Sequence, residues 1–308
     1  MQQSKIYDVA IIGSGPSGLT AGIYTSRGSA STIIFGGENW GGQLILKTEF
    51  DNLPSQVGIL GPDLMAKMKD HAVKFGAEFV PQSITSVNFS NKPFELTTSD
   101  GIKHKAHSII LATGAETVWL DAPGVKNLVG RGISSCAPCD APFFRNKKVA
   151  VVGGGDSAME EAMVLTKYAS EVFVIHRRDA FKASKIMQDK VLNNPKIKVI
   201  WDTEVQEAIG AQSLEKLVLK NNKTGEVIEL EVQGLFVAIG HKPMSEIFKG
   251  VIDLDEKGFI KVYENSKTNI EGVFVAGDVH DHKYKQAITA AGFGCMAGMD
   301  ALNYLTES

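Results

Sequence analysis

Cys136 and Cys139 stand close together in "SSCAPCDAPF", residues 134–143, with Asp140 directly behind the second thiol. A pair so spaced has three uses. It can supply half of a tetrahedral zinc site, close a small structural loop, or cycle between dithiol and disulfide. Zinc needs two further ligands, yet the remaining cysteine, Cys295, is alone in a run of small residues and the 7 histidines are scattered. A disulfide across so short a loop removes little chain entropy, so a purely structural staple gains little. Pro138, between the thiols, suits the first turn of a helix, where its missing N–H has no partner to lose. Backbone dipoles at a helix N-terminus favour thiolates, and an adjoining acid such as Asp140 is placed to exchange a proton with one of them. These residues favour a redox dithiol. The bland alternatives are a helix-terminal acid without a chemical role at Asp140, and a small buried residue at Cys295.

A cycling dithiol needs an electron source, and two stretches read as dinucleotide sites. In "YDVAIIGSGPSGLTAGI" an apolar β-branched run precedes Gly13, Gly15 and Gly18, and Leu19, Ala21 and Ile23 follow at helix-face spacing. Gly13 permits the tight turn, Gly15 admits a pyrophosphate, and Gly18 lets helix and strand pack closely. The next strand, "STIIF", ends in Gly36-Gly37-Glu38 where a ribose-binding acid is expected, so Glu38 is at best a displaced substitute. The pattern recurs in "KKVAVVGGGDSAMEEA" with Gly153, Gly155 and Ala158. There the following strand, "EVFVIHRRDAF", ends in His176-Arg177-Arg178, with Lys182 after it. Arginine forks suit a 2′-phosphate, so this site reads as one for NADPH; a solvated basic turn is the alternative.

The first fingerprint then suits FAD. "IILATGA" (109–115) and "LFVAIGH" (235–241) are strand-to-glycine returns, and "GVFVAGDVHDHKYKQAITAAGFGCMAGMDAL" adds Gly277-Asp278 before a helix of small residues. Asp278 is expected at that helix's N-terminus, bonding a cofactor hydroxyl. Ala287, Ala290, Ala291, Gly292 and Gly294 admit either a close cofactor or tight helix packing.

The elements these turns require define an α/β fold. It has two Rossmann-like, three-layer dinucleotide-binding domains, with the NADPH domain inserted into the FAD domain. The expected boundaries are 1–117 and 245–308 for the FAD domain, and 118–244 for the NADPH domain carrying the CxxC. The crossings fall at the Gly- and Pro-bearing connectors "GAETVWLDAPG" and "GHKPMSEIF". The 308 residues are 44% hydrophobic and 22% charged with a net charge of −3, an ordinary globular balance. That charge argues against nucleic acid or an anionic membrane as main partner. No apolar run reaches membrane length, "IYDVAIIGSGPSG" begins almost at once where a signal peptide would lie, and three cysteines make no secreted framework. A cytoplasmic location is expected.

Taken in order, "GSGPSG", "GGQL" (41–44), "GPDLM" (61–65), "CAPCD", "GGGDSAMEEA", "HRRDAF", "LFVAIGH" and "GDVHDHKYKQAITAAGFGCMA" resemble the low-molecular-weight, bacterial-type thioredoxin reductases. The likeness to this class of pyridine nucleotide-disulfide oxidoreductases runs over nearly the whole chain. It implies an FAD-containing homodimer that moves electrons from NADPH through flavin to a Cys136–Cys139 disulfide, and on to thioredoxin. By position, it implies flavin contacts at Gly13, Gly15, Pro16, Gly36, Gly37, Gly41, Gly42, Gln43, Asn52 and Gly114. Gly277, Asp278, Lys285, Gln286 and Ala287 complete that set. NADPH contacts are implied at Gly155, Asp156, Ser157, His176, Arg177, Arg178 and Lys182. The likeness also makes Cys139 the flavin-facing sulfur, Cys136 the thiol that attacks thioredoxin, and Asp140 the proton carrier; no metal is implied.

The chain departs from the family in "ILKTEFDNLPSQ", with Leu53 and Ser55 at variable places. Lys182 and Lys285 stand where arginine is common, and Ala141 where glycine is usual. A related flavin dithiol enzyme with another protein acceptor, or a flavin redox sensor, are the alternative readings. Because the dithiol and the NADPH fingerprint share the inserted domain, that domain is expected to turn on its two connectors during turnover.

Overall fold

The computed structural model describes residues 5–46 and 52–307. The chain forms two units, Met1–Glu116 with Lys242–Ser308, and Thr117–His241. Along it run β1 (Ile6–Ile12), α1 (Pro16–Arg27), β2 (Thr32–Phe35), α2 (Gly61–Lys74), β3 (Glu78–Val80), β4 (Ile84–Asn88), β5 (Phe94–Thr98), β6 (Lys103–Leu111) and β7 (Ala115–Thr117). Next come β8 (Ile133–Ser134), α3 (Ala137–Asp140), β9 (Lys148–Val152), α4 (Asp156–Leu165), β10 (Glu171–Ile175), α5 (Lys185–Leu192), β11 (Ile197–Ile200), β12 (Thr203–Ile209), β13 (Lys216–Asn221), β14 (Val227–Glu231) and β15 (Gly234–Val237). β16 (His241–Pro243), β17 (Val273–Val275) and α6 (Ala287–Glu307) complete the order.

In the first unit β3, β2, β1 and β6 are parallel neighbours, and β17 pairs the end of β6 through Ile109↔Val273. The start of β6 pairs antiparallel with β5 through Phe94↔Ala106, so one edge of that strand serves two ladders. Side chains alternate across a strand, which gives β1 two buried faces. Val9 and Ile11 pack with Leu19, Met65 and Ala297 of the helices. Ala10 and Ile12 pack with Phe94 and Leu96 on the other side.

The second unit repeats the plan. The order β11-β10-β9-β15-β8 is all parallel, and β12-β13-β14 is an antiparallel sheet. Val149 and Val151 face Met159, Ala162 and Leu165 of α4, whereas Ala150 faces Leu217 and Leu219 of β13. Both units have the three layers the sequence suggests. The layer opposite the helices is antiparallel strand rather than more helix, because the intervening segments alternate apolar and polar residues at period two.

The connectors β7 and β16 pair with each other. Within the second unit, Val118 N–H donates to Gly240 O at 3.0 Å; within the first, Met244 N–H donates to Gly114 O at 2.9 Å. Among the described residues no helix is long and apolar enough to cross a membrane.

Candidate active site

Cys136 and Cys139 are joined by a disulfide with their Cα atoms 5.3 Å apart. β8 leads into them, anchored beside β15 through Ile133↔Leu235. Cys136 caps α3, and a 3₁₀ turn, Ala141–Phe144, follows at once. Ala137, Ala141 and Phe144 are buried, and the Phe144 ring meets Phe236 edge-on at 5.2 Å, which fixes the turn to the sheet. Phe143 points outward, 45% exposed. The helix the sequence promised is therefore a single turn. Pro138 starts it and Pro142 ends its regular hydrogen bonding, so the dipole acting on the thiols is that of one turn.

Two side chains hold this turn. The Ser134 hydroxyl donates to Asp140 Oδ2 and accepts the Cys136 N–H at 3.1 Å. Glu161, on α4, accepts the Ala137 N–H at 2.5 Å. Asp140 thus has a fixed orientation beside the disulfide. Among the described residues no three His, Cys, Asp or Glu side chains converge as a metal would require.

The first glycine turn has the predicted sterics. A Cβ on Gly13, at φ +117°, would lie 2.1 Å from Ala112 O, and one on Gly18 would lie 2.0 Å from Gly13 O. Gly15 opens onto free space where α1 begins with Pro16. Ser14, which spacing did not single out, donates to Gly36 O at 2.9 Å and accepts the Gly41 N–H at 2.9 Å. It thereby folds the Gly36–Gln43 stretch over the turn, and a Cβ on Gly42 would stand 3.4 Å from Gly15 Cα. Gly114 also faces open space, at φ +76°, whereas Gln43 is exposed. A cavity of about 270 Å³ brings Pro16 and Leu44 together with Leu53, Met68, Ala287 and Ala291. Residues 47–51 of the atypical "ILKTEFDNLPSQ" lie outside the described residues.

Asp278 corrects an expectation. It lies in a 3₁₀ turn, Gly277–Val279, and α6 starts only at Ala287, so it is not at that helix's N-terminus. The reason is Asp281, whose carboxylate accepts the N–H groups of Lys283, Tyr284 and Lys285, each at 2.9 Å. That closes an extra turn ahead of the helix, with Lys285 at φ +48°. The Lys285 ammonium donates to His282 O at 2.6 Å, and burial lowers its pKa. Asn52 Nδ2 donates to Gln286 Oε1 at 3.3 Å. Gly277 abuts the first turn of α1, where a Cβ would touch Ser17 Oγ at 2.5 Å.

One residue on, Asp278 Oδ1 is buried without a hydrogen-bond partner among the described residues, and burial, aided by Asp281, pushes its carboxyl up to about 6. His280 Nε2 is likewise buried and unpartnered among those residues, its ring edge-on to Phe293 at 4.5 Å. Burial pushes that imidazole down to about 4. The small residues of α6 divide by role. A Cβ on Gly294 would lie 2.1 Å from Ser17 O, so Gly294 serves helix packing, whereas Gly292 faces open space.

The second glycine turn carries Gly155 as an open cap of α4, with Asp156 and Ser157 exposed in its first turn. The basic loop is stitched to it. Gly154 O accepts the N–H of Lys182 at 2.7 Å and of Ala183 at 3.1 Å. Asp156 Oδ1 accepts Ser184 N–H at 2.9 Å and its hydroxyl at 2.7 Å. Arg177, Arg178 and Lys182 are exposed. His176 is not. Only 8% exposed, it lies against Gly154 and packs on Phe181 and Trp201. Its Nε2 lies 3.0 Å from Ala180 O. It is placed to support the loop from beneath.

Both turns fit a dinucleotide. Each has an open central glycine at a helix N-terminus, and the first adds an unsatisfied buried acceptor that a cofactor hydroxyl would complete. Sequence reasoning missed Ser14, Ser134 and Glu161. The two serines had only their adjacency to the glycines and cysteines as a signal, and Glu161, one of two glutamates on a helix, had none.

The family model for pyridine nucleotide-disulphide oxidoreductases matches residues 7–294. A thioredoxin reductase of Streptomyces coelicolor is 48% identical over 305 residues, covering 98% of this chain and 95% of its own. A solved thioredoxin reductase from Giardia duodenalis matches with a TM-score of 0.94 at 39% identity, over 98% of this chain and 99% of that one. The thioredoxin reductase of Streptococcus pyogenes MGAS5005 matches with a TM-score of 0.95 at 36% identity, over 99% and 100%.

Proposed function

The chain belongs to the pyridine nucleotide-disulphide oxidoreductase family, and from that premise we propose that it is a flavin enzyme using NADPH to reduce thioredoxin. The observation that carries this reading is the Cys136–Cys139 disulfide, set on a turn of the same unit that holds the basic nucleotide loop. FAD, when bound, supplies a two-electron relay between nicotinamide and sulfur. Gly13, Gly15, Pro16, Gly114 and Asp278 would hold it; Gly155, Asp156, Ser157, Arg177, Arg178 and Lys182 would hold NADPH.

The protein's own steps follow from the dithiol. Two electrons and a proton break the Cys136–Cys139 bond, leaving one thiol and one thiolate. Cys136 thiolate attacks a sulfur of the thioredoxin disulfide, forming a mixed disulfide and releasing one thioredoxin thiolate. Cys139 then attacks Cys136 Sγ, re-forms the internal disulfide and releases the second thiolate. Asp140, oriented by Ser134, moves the proton at the sulfur nearest it. The sum is one NADPH and one proton consumed per thioredoxin disulfide reduced. Thioredoxin's potential, about −270 mV, calls for a donor as strong as NADPH.

Because the flavin fingerprint lies in one unit and both of its partners in the other, turnover requires the inserted unit to present nicotinamide and disulfide in turn. A homodimer in the cytoplasm is part of the same proposal. The test is an anaerobic titration of FAD-loaded protein with NADPH, thioredoxin added last. Bleaching by NADPH and recovery of the yellow colour on adding oxidised thioredoxin is the expected result. Bleaching without recovery would point to a different acceptor.

A further inference from the structure

The basic loop contains a charge of the wrong sign. Asp179 follows Arg177 and Arg178 directly, with its side chain 73% exposed on the surface where a nucleotide phosphate would be received. A carboxylate there has two harmful options. It can pair with an arginine and withdraw that fork from the ligand, or it can stay unpaired and repel the phosphate.

Lys223, on the turn between β13 and β14, prevents both. Its ammonium lies 3.0 Å from Asp179 Oδ2 and 3.1 Å from Asp202 Oδ2. The turn that carries it is seated on the loop's own backbone. Asn222 N–H donates to Asp202 O at 2.6 Å, Asn222 Nδ2 donates to Arg177 O at 3.4 Å, and Asp202 N–H donates to Arg178 O at 3.2 Å. Asn221 Oδ1 accepts the N–H groups of Lys223 and Thr224 at 2.9 and 3.0 Å, which fixes the turn itself. A lysine delivers a compact point charge and no planar fork, so, shared with Asp202, it offsets the charge of the acid and leaves the arginine forks for a ligand.

We infer that Lys223 sets the preference of this loop for a 2′-phosphorylated nucleotide, by offsetting the charge of Asp179 and holding it off the arginines. It is a positioning residue, acting through Asp179 and touching no reacting atom. The inference rests on the proposal that the loop receives the 2′-phosphate of NADPH. It places a determinant of cofactor choice some forty-five residues beyond the arginine pair, on a separate sheet.

Calorimetric titration of FAD-loaded protein with adenosine 2′,5′-bisphosphate, and with adenosine 5′-monophosphate as the control lacking the 2′-phosphate, tests this. Both groups of the pair are exposed, so solvent screening keeps the effect modest. Lys223→Gln is expected to weaken the bisphosphate about five-fold at low salt and to leave the monophosphate unchanged. Adding Asp179→Asn to that variant restores binding, Lys223→Arg retains it, and the loss shrinks as salt rises. Equal weakening of both nucleotides, an unchanged bisphosphate affinity, or failure of Asp179→Asn to restore it would overturn the inference. Wild-type protein that binds both nucleotides equally would instead overturn the NADPH assignment beneath it.

Discussion

Glu161 accepts the N–H of Ala137 at 2.5 Å, so the helix that begins at the second glycine turn also grips the first residue of the dithiol turn. Ala137 is fully buried, so its N–H depends on this acceptor. Glu161→Ala is expected to destabilise the protein by about 1–3 kcal/mol, the cost of stranding a buried donor. Glu161→Gln keeps an acceptor and is expected to cost less than half of that. Urea midpoints of the two variants decide the matter, and equal destabilisation by both would refute the role of this bond.

Cys139→Ser removes one sulfur and leaves both glycine turns intact. The variant is expected to retain FAD at normal stoichiometry while losing thioredoxin reduction by about a thousandfold or more, because the two thiols act as one machine. The flavin spectrum measured beside steady-state turnover checks it; substantial turnover would overturn the division of roles.

Asp278 and His280 give opposite pH slopes to the flavin-free protein. Burial raises Asp278 from 3.8 to about 6, so the folded state holds that proton more tightly than the unfolded chain does. Its contribution to stability therefore grows as pH falls from about 6 toward 3.8. Burial lowers His280 from 6.5 to about 4, so its contribution is lost as pH falls across that interval. In the native sequence the two offset each other. Asp278→Asn leaves the histidine alone and is expected to lose about 2 kcal/mol on acidification through that window. His280→Gln leaves the carboxyl in place and is expected to gain stability relative to the parent protein over the same range. Denaturant midpoints between pH 7 and 4 read both slopes as differences from the parent, which subtracts the other carboxylates, and differences of the same sign would contradict the assignment.

Asp281→Ala strands the three N–H donors that its carboxylate now accepts. The turn ahead of α6 is expected to open, at a cost of about 2–4 kcal/mol for a charge-assisted cluster of this kind. FAD retention is expected to fall with it, since Asp278 and Gln286 flank the turn. Asp281→Asn, which keeps one acceptor oxygen, is expected to fall between. Thermal melts with and without added FAD measure both effects.

How far the sequence could be read follows from the range of the forces involved. Gly13 and Gly18 were legible because one atom of excess would collide with backbone two or three ångströms away, a constraint written in the spacing itself. The cysteine pair was legible because its chemistry needs only two neighbours. His176 was not, since only the packing of Phe181 and Trp201 around it shows that a residue beside two exposed arginines turns inward. Asp278 was misplaced because Asp281, three residues later, satisfies its neighbours' backbone and delays the helix. Gly294 carried two readings until Ser17 O, from a helix far back in the chain, selected one.

The short contacts at the crossing, Val118 to Gly240 on one side and Gly114 to Met244 on the other, make the inserted segment a cassette with adjoining ends. Its excision would leave the host chain a gap that a handful of residues can bridge, and would free a polypeptide whose termini already meet.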